Sequence, residues 1–133
     1  MFYFMDRCFK NIVYFDKLDS SNDFLIDLYK QYDFEDLFTV YVNDQVKGRG
    51  SMGKKWFANN KSLSFSFSIK LESKMMPFNL TMLTALAIVD LLDSKGVKSN
   101  IKYPNDILVK HNKIAGILTE IISVKNKKIA IIG

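Results

Sequence analysis

The segment Gly48-Arg49-Gly50-Ser51-Met52-Gly53 sets three glycines and an arginine beside Lys47, Lys54 and Lys55. Glycine lets backbone N–H groups come close to a ligand, and the cations add charge. Such a loop can wrap a phosphate or a carboxylate. The segment also fits G-x-G-x-x-G, but a dinucleotide fingerprint needs a helix directly after it. Here Lys54-Lys55-Trp56-Phe57 runs on through Asn59-Asn60 into a strand, so that reading fails. A kinase glycine loop does lie between strands, yet the chain has no His-Arg-Asp and no Asp-Phe-Gly. Two further segments combine cations with amides or carboxylates: Lys102-Tyr103-Pro104-Asn105-Asp106 and Lys113-Ile114-Ala115-Gly116-Ile117-Leu118-Thr119-Glu120. Taken singly, each segment reads as a turn or hairpin, for which Pro-Asn-Asp and an isolated strand glycine are ordinary. A single histidine, His111, and a single cysteine, Cys8, leave no basis for a zinc site or a Cys–His nucleophile.

The elements that would position these residues follow from periodicity. Ile12 to Leu18 reads as a strand. Ser20, Ser21, Asn22 and Asp23 then start a helix, with apolar Phe24, Leu25, Leu28 and Tyr32 at helical spacing. Phe38 to Val42 is a short strand. Leu63, Phe65, Phe67 and Ile69 alternate with serines, which predicts a half-buried strand with the serines on the wet face. Leu80 to Leu92 is apolar nearly all round and stops near Gly96, which predicts a buried helix. Asn100 to Tyr103 is extended into Pro104. Ile107 to Val109, a turn at His111-Asn112, and Ile114 to Val124 read as one hairpin. Ile129 to Ile132 is a last strand, whose edge is expected to be unpaired.

Length and composition suit one ordinary globular domain: 133 residues, 48% hydrophobic and 25% charged. That apolar content excludes disorder as the dominant state. The net charge of +5 admits anionic partners, but Arg7 and Arg49 are the only arginines, which argues weakly for base readout. Cys8 can form no intrachain disulfide, so a reducing, cytoplasmic setting is expected. The best membrane candidate, around Leu80 to Leu92, is too short to span a bilayer. Met1 to Met5 lack the basic flank of a signal peptide.

Taken in order, the motifs resemble those of the biotin–protein ligase family. The matching residues are Leu18-Asp19-Ser20-Ser21-Asn22, Gln45 with Gly48-Arg49-Gly50-x-x-Gly53-x-x-Trp56, Lys102-x-Pro104-Asn105-Asp106, and Lys113-x-x-Gly116-Ile117-Leu118-x-Glu120. The resemblance runs from about Ile12 to Gly133. It implies an α+β fold of the class II synthetase type: a mixed, mostly antiparallel sheet with helices on one side. The implied activity is ATP-dependent attachment of biotin to a lysine of a biotin carboxyl carrier domain, through biotinyl-5'-AMP.

By the same resemblance Ser20, Ser21, Asn22, Gln45, Gly48, Arg49, Lys113 and Gly116 are the biotin set. Arg49, Gly50, Gly53, Trp56, Lys102, Asn105 and Asp106 are the ATP and adenylate set. Lys113 and Arg49 are the catalytic pair, and Mg2+ is expected beside the phosphates. Neither nucleic acid nor membrane is an expected partner, and homodimerisation is left open. Three departures stand out. Ser51 occupies a usually basic position and Tyr103 a usual tryptophan. The chain ends at Gly133 where the family continues, so residues 1–133 are expected to be a catalytic domain incomplete at its C-terminal side. It would lack both a DNA-binding domain and a C-terminal β-domain. The rival readings are a lipoate or other acyl–protein ligase of the same fold, a non-catalytic piece, and a basic nucleic-acid module.

Overall fold

The computed structural model describes residues 11–32, 37–71 and 75–133. The sequence expectations for Met1–Met5, Arg7 and Cys8 lie outside these residues. The elements are β1 (Ile12–Leu18), α1 (Ser21–Gln31), β2 (Thr39–Gln45), a 3-10 turn (Ser51–Gly53), β3 (Ser64–Lys70), α2 (Pro77–Ser94), β4 (Asn100–Lys102), β5 (Asp106–Val109), β6 (Asn112–Gly116), β7 (Thr119–Val124) and β8 (Lys127–Ile132). The main sheet has five strands in the order β1-β2-β3-β8-β7, and a second sheet has β4-β5-β6. Only β1 and β2 pair in parallel, because α1 crosses between them; every other pair is antiparallel.

The core is set by β8, which is apolar at consecutive positions and so needs cover on both faces. Ile129 and Ile131 pack with Leu25 and Tyr29 of α1 and with Val40 and Val42 of β2. Ala130 and Ile132 pack on the opposite face with Leu80 and Ala85 of α2, Ile107 and Ile117. Each of the larger buried side chains contributes roughly 1.5–3 kcal/mol. The helices therefore lie on opposite faces of the sheet, not on one side. The end of the chain also differs from expectation. β8 is bonded to β3 on one flank and β7 on the other, so it is an interior strand with no free edge.

Three further expectations are corrected. The serines of β3 face inward: Ser64, Ser66 and Ser68 are buried, while Phe65 and Leu63 are exposed. Hydrogen bonds offset that burial for two of the three: Ser66 bonds to Ser21 and Asn22, and Ser68 shares a bond with the Tyr29 hydroxyl at 2.7 Å and accepts the Phe38 N–H at 2.9 Å, while the buried Ser64 hydroxyl has no partner among the described residues. The helix expected to be buried, α2, buries only Leu80 and Ala85 fully and leaves Leu83 60% exposed. It starts at Pro77 and, at 18 residues, is long and apolar enough by length and composition to cross a bilayer, which Leu80 to Leu92 alone was not. One flank of it lies against β4, β5, β7 and β8. Its C-terminus closes as a Schellman motif, with the Val97 N–H bonded to the Leu92 carbonyl and Gly96 at φ +74°.

Ile114 to Val124 is the third correction: it is two strands in two sheets. The backbone leaves the small sheet at Ile117, whose N–H bonds to the Asn105 carbonyl at 2.9 Å. It joins the main sheet at Leu118, which exchanges both backbone bonds with Gly133. The change of sheet places the β6–β7 junction directly beneath the loop that follows β2.

Candidate functional site

The site begins at the N-terminus of α1. Ser20 caps the helix, its hydroxyl accepting the Asp23 N–H at 3.3 Å. The backbone N–H and the hydroxyl of Ser21 both donate to Gln45 Oε1 at 2.9 Å. These bonds orient the Gln45 amide at the end of β2. Ser66 Oγ lies 2.6 Å from both Ser21 Oγ and Asn22 Oδ1. Asn22 in turn donates through Nδ2 to Glu120 Oε2 at 2.9 Å and to the Leu118 carbonyl at 3.3 Å. Ser21, Asn22 and Gln45 are thus joined through Ser66 and the Ser21 hydroxyl into one buried or half-buried network, beside the Ser20 cap.

The glycine segment is a clipped hairpin with little slack. Trp56 N–H bonds to the Gly48 carbonyl at 2.8 Å, and Gly50 N–H to the Lys54 carbonyl at 2.7 Å. Gly48 is buried, and a Cβ there would stand 2.7 Å from Gln45 Nε2 and 2.8 Å from the Trp56 carbonyl oxygen. Only glycine lets the chain pass at that point. At the tip, Met52 and Gly53 both have positive φ, at +56° and +72°. Ser51 opens the turn and accepts the Lys54 N–H through its carbonyl at 3.3 Å.

Arg49 is held from two sides. It donates through Nε to Asp23 Oδ2 at 3.1 Å and through Nη2 to Glu120 Oε2 at 2.8 Å, with further bonds to both carboxylates. The bonds to Asp23 hold its pKa above the ordinary arginine value. Glu120 adds to that and partial burial opposes it. The guanidinium therefore ties the hairpin to α1 and to β7, and an anionic ligand must compete with two carboxylates for it.

The third cluster forms where the hairpin meets β6. Lys113 Nζ is 2.7 Å from Asp106 Oδ1 and stands 5.0 Å from the centre of the Trp56 ring. Lys113 is on strand β6, opposite Leu108, and not in the turn, which is Lys110-His111. A Cβ on Gly116 would come 3.0 Å from Trp56 Cζ3 and 3.2 Å from Lys113 Nζ. Gly116 is thus the gap that lets the indole and the ammonium lie over the strand. Asn105 donates through Nδ2 to the Ile117 carbonyl at 3.0 Å, which spends its amide on holding the β6–β7 junction. Lys102 is exposed on β4, opposite Asp106 in register, and no hydrogen bond or ion pair ties it to this cluster.

The structure therefore brings together Ser20, Ser21, Asn22, Gln45, Gly48 and Arg49 in one network, and Trp56, Asp106, Lys113 and Gly116 in a second. The Gly48–Trp56 clip joins the two. Three residues of the network were not assigned from the sequence. Asp23 reads there as a helix-start acid, Ser66 as a wet-face serine, and Glu120 as the end of a motif without a role. Among the described residues no group of three or more His, Cys, Asp or Glu side chains could hold a metal ion. An apolar cavity of about 260 Å3 lined by Leu37, Phe38, Thr39, Phe65, Phe67 and Ile69 lies at the other end of β2 from Gln45 and is separate from this site.

Residues 14–133 match the model of the biotin/lipoate A/B protein ligase family. The chain belongs to that family. Among curated relatives of the ligase family, the bifunctional ligase/repressor BirA of Bacillus subtilis is 35% identical over 85 residues, which is 61% of this chain and 26% of that protein. Among solved structures, the biotin acetyl coenzyme A carboxylase synthetase of Helicobacter pylori with bound biotinylated ATP superposes with a TM-score of 0.78 at 22% identity. It covers 92% of this chain and 59% of its own. The biotin protein ligase of Aquifex aeolicus in complex with biotin and ATP gives 0.70 at 28% identity, covering 93% and 51%. These neighbours establish the class II synthetase-like ligase fold. The chain spans about a quarter of the length of the Bacillus relative and a little over half of the two solved chains.

Proposed function

We propose that this chain carries the biotin- and ATP-binding part of a biotin–protein ligase. The observation that carries the reading is the packing of Trp56 against Gly116 with the Lys113 ammonium over it, one clip away from the Ser21–Gln45 amide network. An apolar wall, a cation beside a carboxylate and a buried amide end suit a ligand that is polar at one end, aliphatic in the middle and anionic at the other. Biotin has that order of groups.

In the first step the biotin carboxylate attacks the α-phosphorus of ATP, forming biotinyl-5'-AMP and releasing pyrophosphate. In the second, an acceptor lysine attacks the mixed anhydride and AMP leaves. Lys113 would meet the carboxylate and the phosphate, exchanging Asp106 for substrate oxygen. Cations preorganised where charge develops are worth more in a water-poor site than in solution. Arg49 and the glycine hairpin, already clipped in place, would lie over the acyl-adenylate and keep water from the anhydride.

A magnesium ion bound chiefly by substrate phosphates needs one or two protein carboxylates. Asp106, beside Lys113, is the carboxylate here that fits such an ion, whose part would be to neutralise phosphate charge. The acceptor is proposed to be a biotin carboxyl carrier domain, and the setting cytoplasmic.

The test is incubation of the chain with biotin, ATP labelled at the α-phosphate and a biotin-acceptor domain, with adenylate and biotinylated acceptor measured separately. Labelled biotinyl-adenylate is the expected product. Calorimetry showing lipoate bound more tightly than biotin would move the chain to the lipoate side of its family.

A further inference from the structure

The fork of Arg49 is almost filled by the chain's own carboxylates. A guanidinium has five N–H donors. Nε–H and one Nη2–H go to the two oxygens of Asp23, the Nε bond at 3.1 Å. The other Nη2–H and one Nη1–H go to Glu120, at 2.8 and 3.0 Å. One Nη1–H remains without a bond among the described residues. An oxyanion is held best by two parallel N–H bonds of the fork, and each such pair is already engaged. A carboxylate or phosphate that takes Arg49 in that way must therefore displace Asp23 or Glu120.

The two are not equally held. The Glu120 side chain is 26% exposed, against 47% for Asp23. Glu120 Oε2 also accepts Asn22 Nδ2 at 2.9 Å, and Asn22 is buried. The Leu118 carbonyl takes Nδ2 as well, and Ser66 Oγ lies 2.6 Å from Oδ1, so the Asn22 amide is fixed in one orientation. Moving Glu120 would leave that buried amide short of an acceptor, which costs more than an exposed bond returns. The Asp23 carboxylate has no such second duty: among the described residues its side-chain bonds run to Arg49 alone. An ion pair so exposed contributes little and exchanges readily. Once released, the Asp23 charge still sits in the first turn of α1, where the helix dipole favours it.

We propose that Asp23 is an internal competitor: its carboxylate occupies the Nε–Nη2 edge of Arg49 in the unliganded protein and yields that edge to the oxyanion of a ligand, while Glu120 keeps Arg49 and the hairpin in place. The inference rests on the reading of the site above, in which biotin brings a carboxylate and ATP its phosphates. Asp23 lowers the apparent affinity for the anionic part of the ligand, because only molecules with the edge released bind it. The neutral part of a ligand is indifferent to the exchange.

The experiment is calorimetry of the wild-type chain, Asp23→Asn and Asp23→Ala with two ligand pairs: biotin against biotinamide, and ATP against adenosine. Each pair shares its ring system and differs in the anionic group. Both variants should bind the anionic member of at least one pair about 3- to 5-fold more tightly than wild type, and the neutral member equally well. A gain confined to biotin assigns the edge to a carboxylate, and one confined to ATP assigns it to a phosphate. Damage to the start of α1 shifts both members of a pair alike, so a gain shared by the neutral member overturns the proposal. Unchanged or weaker binding of both biotin and ATP overturns it too, and makes Asp23 a brace that holds Arg49 for the ligand. A wild-type chain that binds ATP but no biotin refutes the biotin reading, and the ATP pair then still decides the competition at Arg49. A chain that binds neither overturns both.

Discussion

Replacing Lys113 with alanine separates what its ammonium does for the fold from what it does for the reaction. An exposed turn lysine would be worth within about ±0.5 kcal/mol. Lys113 is instead on β6, 42% exposed at its side chain, with Asp106 at 2.7 Å and the Trp56 ring at 5.0 Å. A half-exposed ion pair contributes about 0.2–1 kcal/mol after screening. The cation over the indole adds about 0.5–1 kcal/mol. Lys113→Ala should therefore lower the unfolding free energy by about 1–1.5 kcal/mol, read as a shift in the urea midpoint. Lys113→Met keeps an apolar stem over Trp56 and should recover part of that loss. Both variants should lose pyrophosphate release by about 10²–10³-fold, because neither carries the charge. The split is the decisive feature: methionine rescues stability and leaves activity lost. Near-normal pyrophosphate release by the alanine variant would refute the role at the reacting centre. Equal midpoints for wild type and alanine would refute the worth assigned to the Asp106 and Trp56 contacts.

Glu120→Gln keeps the shape of the Arg49 clamp and removes one of its two charges; with Arg49 38% exposed, the loss in urea unfolding should stay near about 1 kcal/mol. Gly116→Val drives a branched side chain into Trp56 and Lys113 and should weaken biotin binding by about tenfold or more, with about 1–3 kcal/mol lost from stability. The raised pKa of Arg49 means that its contribution is fully present below the unfolded arginine value and is lost only as pH rises through the folded one. The stability gap between wild type and Arg49→Ala should then stay constant from about pH 7 to about pH 10 in urea titrations, and a gap that closes over that range would contradict the clamp.

The helix start at Ser20 to Asp23, the strand at Ile12 and the stop at Gly96 were legible because each rests on local chemistry: a capping hydroxyl, a β-branched and aromatic run, a left-handed glycine. The glycine segment was legible as a loop between two strands, but its internal bonds were not. Gly48 is fixed by the Trp56 carbonyl and Gln45, partners that sequence spacing alone does not identify. The division of Ile114 to Val124 between two sheets was hidden for a similar reason. The break at Ile117 and Leu118 is made by Asn105 and Gly133, residues distant in sequence. Arg49 shows the same limit from the side of charge. Its type and loop gave it a ligand role, while the two carboxylates that hold it came from a helix start and a strand read as structural.

The serine row of β3 carries the clearest lesson about pattern. Alternation showed that the strand has two unlike faces, and hydrophobicity alone put the aromatic face inward. The structure buries the serine face as well, because it meets the first turn of α1, where polar groups need partners, while Phe67 and Ile69 on the other face pack half-buried against the α2 side of the core. In this fold a helix N-terminus, an amide from β2 and a row of small hydroxyls make a polar interior at one end of an otherwise apolar core. Ile129 and Ile131 close the same face a strand away. A core that changes from apolar to hydrogen-bonding within two strands is uneconomical for stability alone. The bonds from Ser66 to Ser21 and Asn22, and from Ser21 to Gln45, are what offset the burial of that polar end.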